Sequence, residues 1–208
     1  MKIILDFDDT IFNTFRVMQE FRKIFNRLGF TDDEFWSAYQ QCKNNINDFN
    51  PDIFLDIIGK IRPCDKNKAK EGMQNLTEKF SNYIFSDFFC FLNIAKKEEL
   101  ILLSHGLSDF QKNKIEKSGI IPYFSEVIIT SRDKAEDIEE IKNKYNEKLI
   151  FIEDKAESID SVKKRLPEVT TMKIIRPQGR HIERKSELTN YIIQDLFRLE
   201  DIINNLRD

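Results

Sequence analysis

The chain opens MKIILDFDDT, which sets the apolar run Ile3-Ile4-Leu5 directly against the carboxylates of Asp6, Asp8 and Asp9. A strand that is apolar at consecutive positions is buried on both faces, as central strands of parallel sheets are. Asp6 is therefore expected at the carboxyl end of a first strand. Similar runs recur at Leu100 to Leu103, Val127 to Ile129 and Leu149 to Ile152, with a fainter one around Met172 to Ile175. Helical patterns separate the later runs, so the chain from about residue 89 onward reads as repeated β-α units.

Residues 15–88 interrupt this pattern and read as almost wholly helical. That is far too long for one crossover helix with loops of about two to six residues, so the stretch is expected to be an inserted helical unit. Phe15, Met18, Phe21, Phe25 and Leu28 recur at helical spacing before Gly29, a fitting C-terminal stop. Thr31 and Glu34 have capping-box spacing ahead of Phe35, Trp36 and Tyr39. Pro51 suits the start of a helix carrying Phe54, Ile57, Ile58 and Ile61, and Met73, Leu76, Phe80 and Ile84 suggest another. In the later half Ser108 and Gln111 again have capping-box spacing, and Leu188 to Leu206 reads as an amphipathic helix packed on the sheet.

Composition narrows the function classes. The 33 basic and 36 acidic residues are scattered along the chain, leaving a net charge of -3 and no field to draw in a polyanion, so nucleic acid is not expected as a partner. Basic runs at Lys163-Lys164-Arg165 and Arg180 to Lys185 read as solvated surface or, alternatively, an anion patch. Cys42, Cys64 and Cys90 lack metal-type spacing and suit reduced thiols, and no apolar run has membrane-spanning length. A soluble, cytoplasmic protein with no membrane association is the expectation.

Open parallel sheets bind ligands beyond the carboxyl ends of their strands, so the residues just after the apolar runs carry the chemistry. These are Asp6 and Asp8, then Ser104, then Lys134, then Asp154. Phosphoryl transfer needs that set: a nucleophile, a proton donor, a hydroxyl, a cation and a metal carboxylate. ILDFDDT, LLSHG, Lys134 and IFIEDKAESID together resemble the four ordered motifs of the haloacid dehalogenase (HAD) superfamily. The resemblance covers about residues 1 to 14 and 98 to 160. It implies an α/β, Rossmann-like parallel sheet core formed by residues 1–14 and 89–208, with an all-helical cap at 15–88.

The resemblance also implies roles. Asp6 is the expected nucleophile, forming an aspartyl-phosphate, and Asp8, pointing to the same side two residues on, the acid and base. Mg2+ is the expected cofactor, held by carboxylates of Asp6 and Asp154 and the backbone carbonyl of Asp8. Asp154 read alone is also a possible helix N-cap. Glu153, Glu157 and Asp160 are candidate partners for metal-bound water, and Asp9 is assigned to turn chemistry. Ser104, helped by N-H groups of His105 and Gly106, would hydrogen-bond the phosphoryl group, and Thr10 completes the substrate-binding set. Lys134 would neutralise developing charge; Arg132 is its rival.

The expected activity is magnesium-dependent hydrolysis of a small phosphorylated metabolite, of the nucleotide or sugar phosphate class. The alternatives are a phosphotransferase or phosphomutase of the same fold, or an inactive HAD-fold binding protein. A phosphorylatable receiver domain shares the ingredients but in another order, with its acceptor aspartate after the third strand and its lysine last. Asp8 argues against dehalogenation, since the related dehalogenases do without that acid. Walker A, Gly-x-Gly-x-x-Gly, Gly-x-Ser-x-Gly and paired-histidine metal motifs are absent from the sequence.

Overall fold

The computed structural model describes residues 1–46, 49–96, 99–106, 108–197 and 199–207. The apolar runs become strands β1 (Lys2–Leu5), β2 (Leu100–His105), β3 (Glu126–Thr130), β4 (Leu149–Glu153) and β5 (Thr170–Ile174), joined at the edge by β6 (Tyr191–Ile193). They form one sheet in the order β3-β2-β1-β4-β5-β6, with every neighbouring pair parallel. The order reverses between β1 and β4, which leaves a crevice beyond their carboxyl ends.

Successive strand residues face opposite ways, and the core divides accordingly. Ile4, Ile101, Leu103 and Phe151 pack against α7 (Lys134–Tyr145) and α8 (Ala156–Arg165) through Ile138, Ile141, Ile159 and Val162. Ile3, Leu5, Leu102 and Ile152 belong to the other cluster, which continues without a break into the helices that lie between β1 and β2. Those are α1 (Thr14–Arg27), α2 (Asp32–Ile46), α3 (Pro51–Ile61), α4 (Lys66–Thr77) and α5 (Ser86–Phe91). Also in this cluster are Ile115 of α6 (Ser108–Ser118) and Leu199 and Ile203 of α9 (Leu199–Arg207).

Local chemistry sets these helix boundaries. Gly29, at φ 93°, ends α1 in the left-handed region that glycine enters without steric cost. Thr31 and Glu34 form the expected reciprocal box at the start of α2, at 2.8 and 3.2 Å. The Asn50 side chain caps α3 ahead of Pro51, and Asp65 caps α4. Interlocked rings fill the inserted helices: Phe25 meets Phe54 edge-on at 5.1 Å, and Phe35 meets Phe54 at 5.3 Å.

Two expectations need correction. Leu188 to Leu206 is not one helix: Tyr191 to Ile193, favourable for a strand, extends the sheet as β6, and only α9 is helical. The helix carrying Met73 and Leu76 stops at Thr77, and Phe80–Tyr83 forms a separate 3-10 turn. The spacing of Ser108 and Gln111 does mark the start of α6; the Gln111 amide nitrogen donates to Asp8 and Ser104, and the side chain of Ser108, on which the box depends, lies outside the described residues. Cys42, Cys64 and Cys90 form no disulfide among the described residues, and no described helix is long and apolar enough to cross a membrane.

The segment from β5 to β6 returns without a helix and is pinned under the sheet edge by a buried ion pair. Arg176 donates to both oxygens of Asp87 on α5, at 2.6 and 3.1 Å, and also to the carbonyl of Thr10 at 2.6 Å. The backbone N-H of Leu196 donates to the same carboxylate at 2.8 Å. Removing one partner of such a pair strands a charge in the interior. Arg176→Met is expected to cost about 3–5 kcal/mol of stability, read as a lowered urea midpoint.

Candidate active site

Pairing of β1 with β4 sets Leu5 opposite Ile152, and the N-H of Asp6 donates to the carbonyl of Ile152 at 3.0 Å. The carboxylate that follows β1 therefore meets the acidic end of β4 at the crevice. Asp6, Glu153 and Asp154 are all buried, each offering an oxygen so that these atoms lie within 4.8 Å of one another. Lys134, the first residue of α7, reaches in to donate to Asp6 at 2.5 Å and Glu153 at 2.6 Å. Burial opposes charge on the Lys134 ammonium, but Asp6 and Glu153 outweigh it and raise its pKa above the ordinary lysine range. Arg132 is spent elsewhere, on Asp137 and on Glu140 at 2.9 Å.

Asp8 faces a different neighbourhood. Lys114 donates to its two oxygens at 2.7 and 2.8 Å, Gln111 donates at 2.9 Å, and the Thr14 hydroxyl donates as well. Burial favours the neutral acid, but the charges of Lys114 and Arg180 and these hydrogen bonds prevail and hold Asp8 well below the usual carboxylate range. Asp9 adopts the expected turn, with φ 54° in the left-handed region that aspartate tolerates, and its carboxylate accepts from Arg180 Nε at 2.6 Å.

Asp6, Asp8, His105, Lys134, Asp154 and Arg180 line a common cavity of about 440 Å³. Ser104 and Thr10 lie behind that wall, both fully buried. The Ser104 hydroxyl accepts from Gln111 at 2.6 Å, and the N-H of Gly106 donates to the carbonyl of Thr130 at 3.1 Å. The N-cap of α8 is Lys155, so Asp154 is not its cap.

Sequence reasoning did not assign Gln111, Lys114 or Lys173 to the site, and met Arg180 only as the start of a basic run with an anion patch as its alternative reading. Gln111 and Lys114 stand three apart on one face of α6, a spacing readable once the helix is assigned. Lys173 interrupts the apolar strand β5 and donates to the backbone carbonyl of Asp154 at 2.5 Å; a lysine within a buried strand was its available signal. Arg180 comes from the long β5–β6 connection, where nothing periodic marks a residue.

No protein-family model matches the chain, and no curated protein matches it by sequence. Solved structures do. A protein described as a haloacid dehalogenase-like hydrolase from Burkholderia xenovorans superposes with a TM-score of 0.74 at 17% identity, covering 96% of both chains. The chain has the HAD-like fold. The HAD-hydrolase YfnB from Bacillus subtilis, bound to magnesium, gives 0.66 at 14% identity over 98% of both chains. The L-2-haloacid dehalogenase of Xanthobacter autotrophicus gives 0.67 at 12% identity, over 99% of this chain and 98% of that one.

The residues at this HAD-fold crevice suit a hard divalent cation. Asp154 Oδ2 is buried and has no hydrogen-bond partner among the described residues, an arrangement that costs free energy unless a donor or a cation meets it. Burial and the neighbouring carboxylate of Glu153 raise the pKa of both Asp6 and Asp154, so their charged forms lack compensation beyond what Lys134 supplies. An all-oxygen donor set is what magnesium or manganese prefers. Titrating either metal is expected to raise the unfolding temperature of the wild type, and Asp154→Asn to abolish most of the rise. At about 100 times its Kd, a bound ion adds about 2.7 kcal/mol.

Proposed function

We propose that the protein is a magnesium-dependent phosphatase that hydrolyses a small phosphorylated metabolite through an aspartyl-phosphate on Asp6. The observation that carries this reading is the buried trio Asp6, Glu153 and Asp154, with an unpartnered oxygen on Asp154, at the mouth of the sheet. Displacement of halide from a haloacid gives such a cation-demanding cluster no task, whereas a carboxylate attacking a phosphate dianion needs its repulsion offset. Asp8, held beside the same cavity, supplies the acid-base group that phosphoester cleavage also needs.

In the first step an Asp6 oxygen attacks phosphorus, the ester P–O bond breaks, and Asp8 gives its proton to the departing alkoxide. In the second step Asp8 takes a proton from water as that water attacks phosphorus, which frees inorganic phosphate and restores the Asp6 carboxylate. The pairing with Lys114 favours the ionised Asp8 needed in the second step. An arriving phosphate dianion favours the protonated form needed in the first. Magnesium, held by Asp6, Asp154 and the backbone carbonyl of Asp8, would neutralise charge between nucleophile and phosphate.

Lys134 holds Asp6 in place and offsets transition-state charge. In this reading His105 lines the phosphate side of the cavity, and the buried Ser104, held by Gln111, stands behind it with Gly106 and Thr10 to support the phosphate-binding loop. Residues 1–14 and 89–208 act as the catalytic core, and 15–88 as a cap that closes over the substrate and excludes water.

Phosphate release from a panel of metabolite phosphates, with magnesium or with EDTA, tests the proposal. Activity should need the metal and vanish in Asp6→Asn, and Asp8→Asn should lower kcat by about 10²–10⁴-fold. Chloride release from 2-chloropropionate without metal, in the absence of phosphatase activity, would sink it. Lys134→Ala should be far more damaging than Arg132→Ala; the reverse would mean that the wrong cation had been assigned.

A further inference from the structure

Helix α6 begins just beyond β2, and two of its residues, Gln111 and Lys114, are buried on one face and turned to Asp8. The Gln111 amide donates to Asp8 Oδ2 at 2.9 Å and to the Ser104 hydroxyl at 2.6 Å, which fastens the contact to β2. Lys114 donates to both Asp8 oxygens, at 2.7 and 2.8 Å, and among the described residues its ammonium has no other hydrogen-bond partner. Aromatic rings make up much of its remaining surroundings. The centroids of Phe7, Phe12 and Phe110 lie 5.4, 5.7 and 5.8 Å from the nitrogen. Such faces attract the charge and hold it in place without offering a competing acceptor.

Resting on the phosphatase reading, we infer that Gln111 and Lys114 are positioning residues that set the aim of the Asp8 carboxylate. A proton donor serves an oxygen only from about 2.6–3.2 Å, and an aspartate side chain that nothing holds divides its time among staggered rotamers that point different ways. Donors on both oxygens from one helix face select a single aim. Neither residue lines the cavity that Asp6 and Asp8 share, so both act through Asp8 and not on the phosphate. Packing alone does not call for them, since apolar side chains of similar volume often stabilise an interior as well as a buried ion pair does. The consequence is selective for the leaving group. An alkyl ester needs Asp8 to protonate the departing alkoxide as its P–O bond breaks, whereas p-nitrophenolate departs as the stable anion. A misaimed Asp8 therefore slows aspartyl-phosphate formation from the first far more than from the second.

The test is kcat/KM, which reports formation of the aspartyl-phosphate from free enzyme and ester, measured with magnesium present for p-nitrophenyl phosphate and for the best alkyl ester of the metabolite panel. Wild type is compared with Gln111→Leu and Lys114→Met, each checked for folding by circular dichroism. Both variants should lose at least about 10²-fold on the alkyl ester, the lower end of what a well-placed acid contributes, and less than about tenfold on the aryl ester. If Lys114→Met does not fold, Gln111→Leu, which removes no charge, decides alone. Equal losses on the two esters, as a general structural or phosphate-binding role would give, or no loss on either, would overturn the inference and leave the phosphatase reading intact. A wild type that releases phosphate from neither ester would overturn both.

Discussion

Lys134 donates simultaneously to Asp6 from β1 and Glu153 from β4, and the two halves of the sheet meet around that ammonium. Buried charges persist only when paired, so the position of α7 and the carboxyl ends of both strands are tied to one another. The constraint is incomplete as it stands. Three carboxyl groups converge where one lysine is shared between two of them, and one oxygen of Asp154 has no partner among the described residues, which is the ground for the proposed cation. Lys173 makes a related contribution from the next strand by donating to the backbone carbonyl of Asp154, which fixes the turn from which that oxygen projects.

The protein separates its charges into two compartments. On one side Lys134 serves Asp6 and Glu153; on the other Lys114 serves Asp8, assisted by Gln111 and Thr14. Two aspartates only two residues apart are thereby pushed in opposite directions, Asp6 up and Asp8 down. Environment rather than residue type distinguishes them, and that difference lets the proposed roles of nucleophile and acid-base group fall to separate carboxylates.

Much of this was legible in the sequence, for a physical reason. Strands buried on both faces are apolar at every position, so Ile3 to Leu5 and Leu149 to Ile152 announce themselves, and the polar residues that stop them mark the ligand edge. The Thr31–Glu34 box was equally plain, because its partners are three residues apart in the chain. What stayed hidden depends on contacts distant in sequence. Arg176 pairs with Asp87 and Arg180 with Asp9 across the fold, and no local pattern encodes either meeting. Gln111 has a role that its motif spacing does not disclose: its amide nitrogen donates to Asp8 and Ser104. The short strand β6 lost to the helical reading because a three-residue strand carries too little periodicity to compete with α9 beyond it.

The hydrophobic cluster that runs from Ile3 and Leu5 on the sheet to Phe25, Phe35 and Phe54 among the inserted helices has a consequence for folding. Parting the two regions would expose aromatic surface at about 25 cal/mol per Å², a penalty that accumulates quickly over rings this size. Sheet and inserted helices are therefore expected to melt together as one cooperative unit rather than in sequence. Synthesis adds a delay to that cooperativity: β1 leaves the ribosome ahead of its neighbours β2 and β4 and finds them only after the whole aromatic insertion has been made, so the strand that leads into Asp6 is paired late.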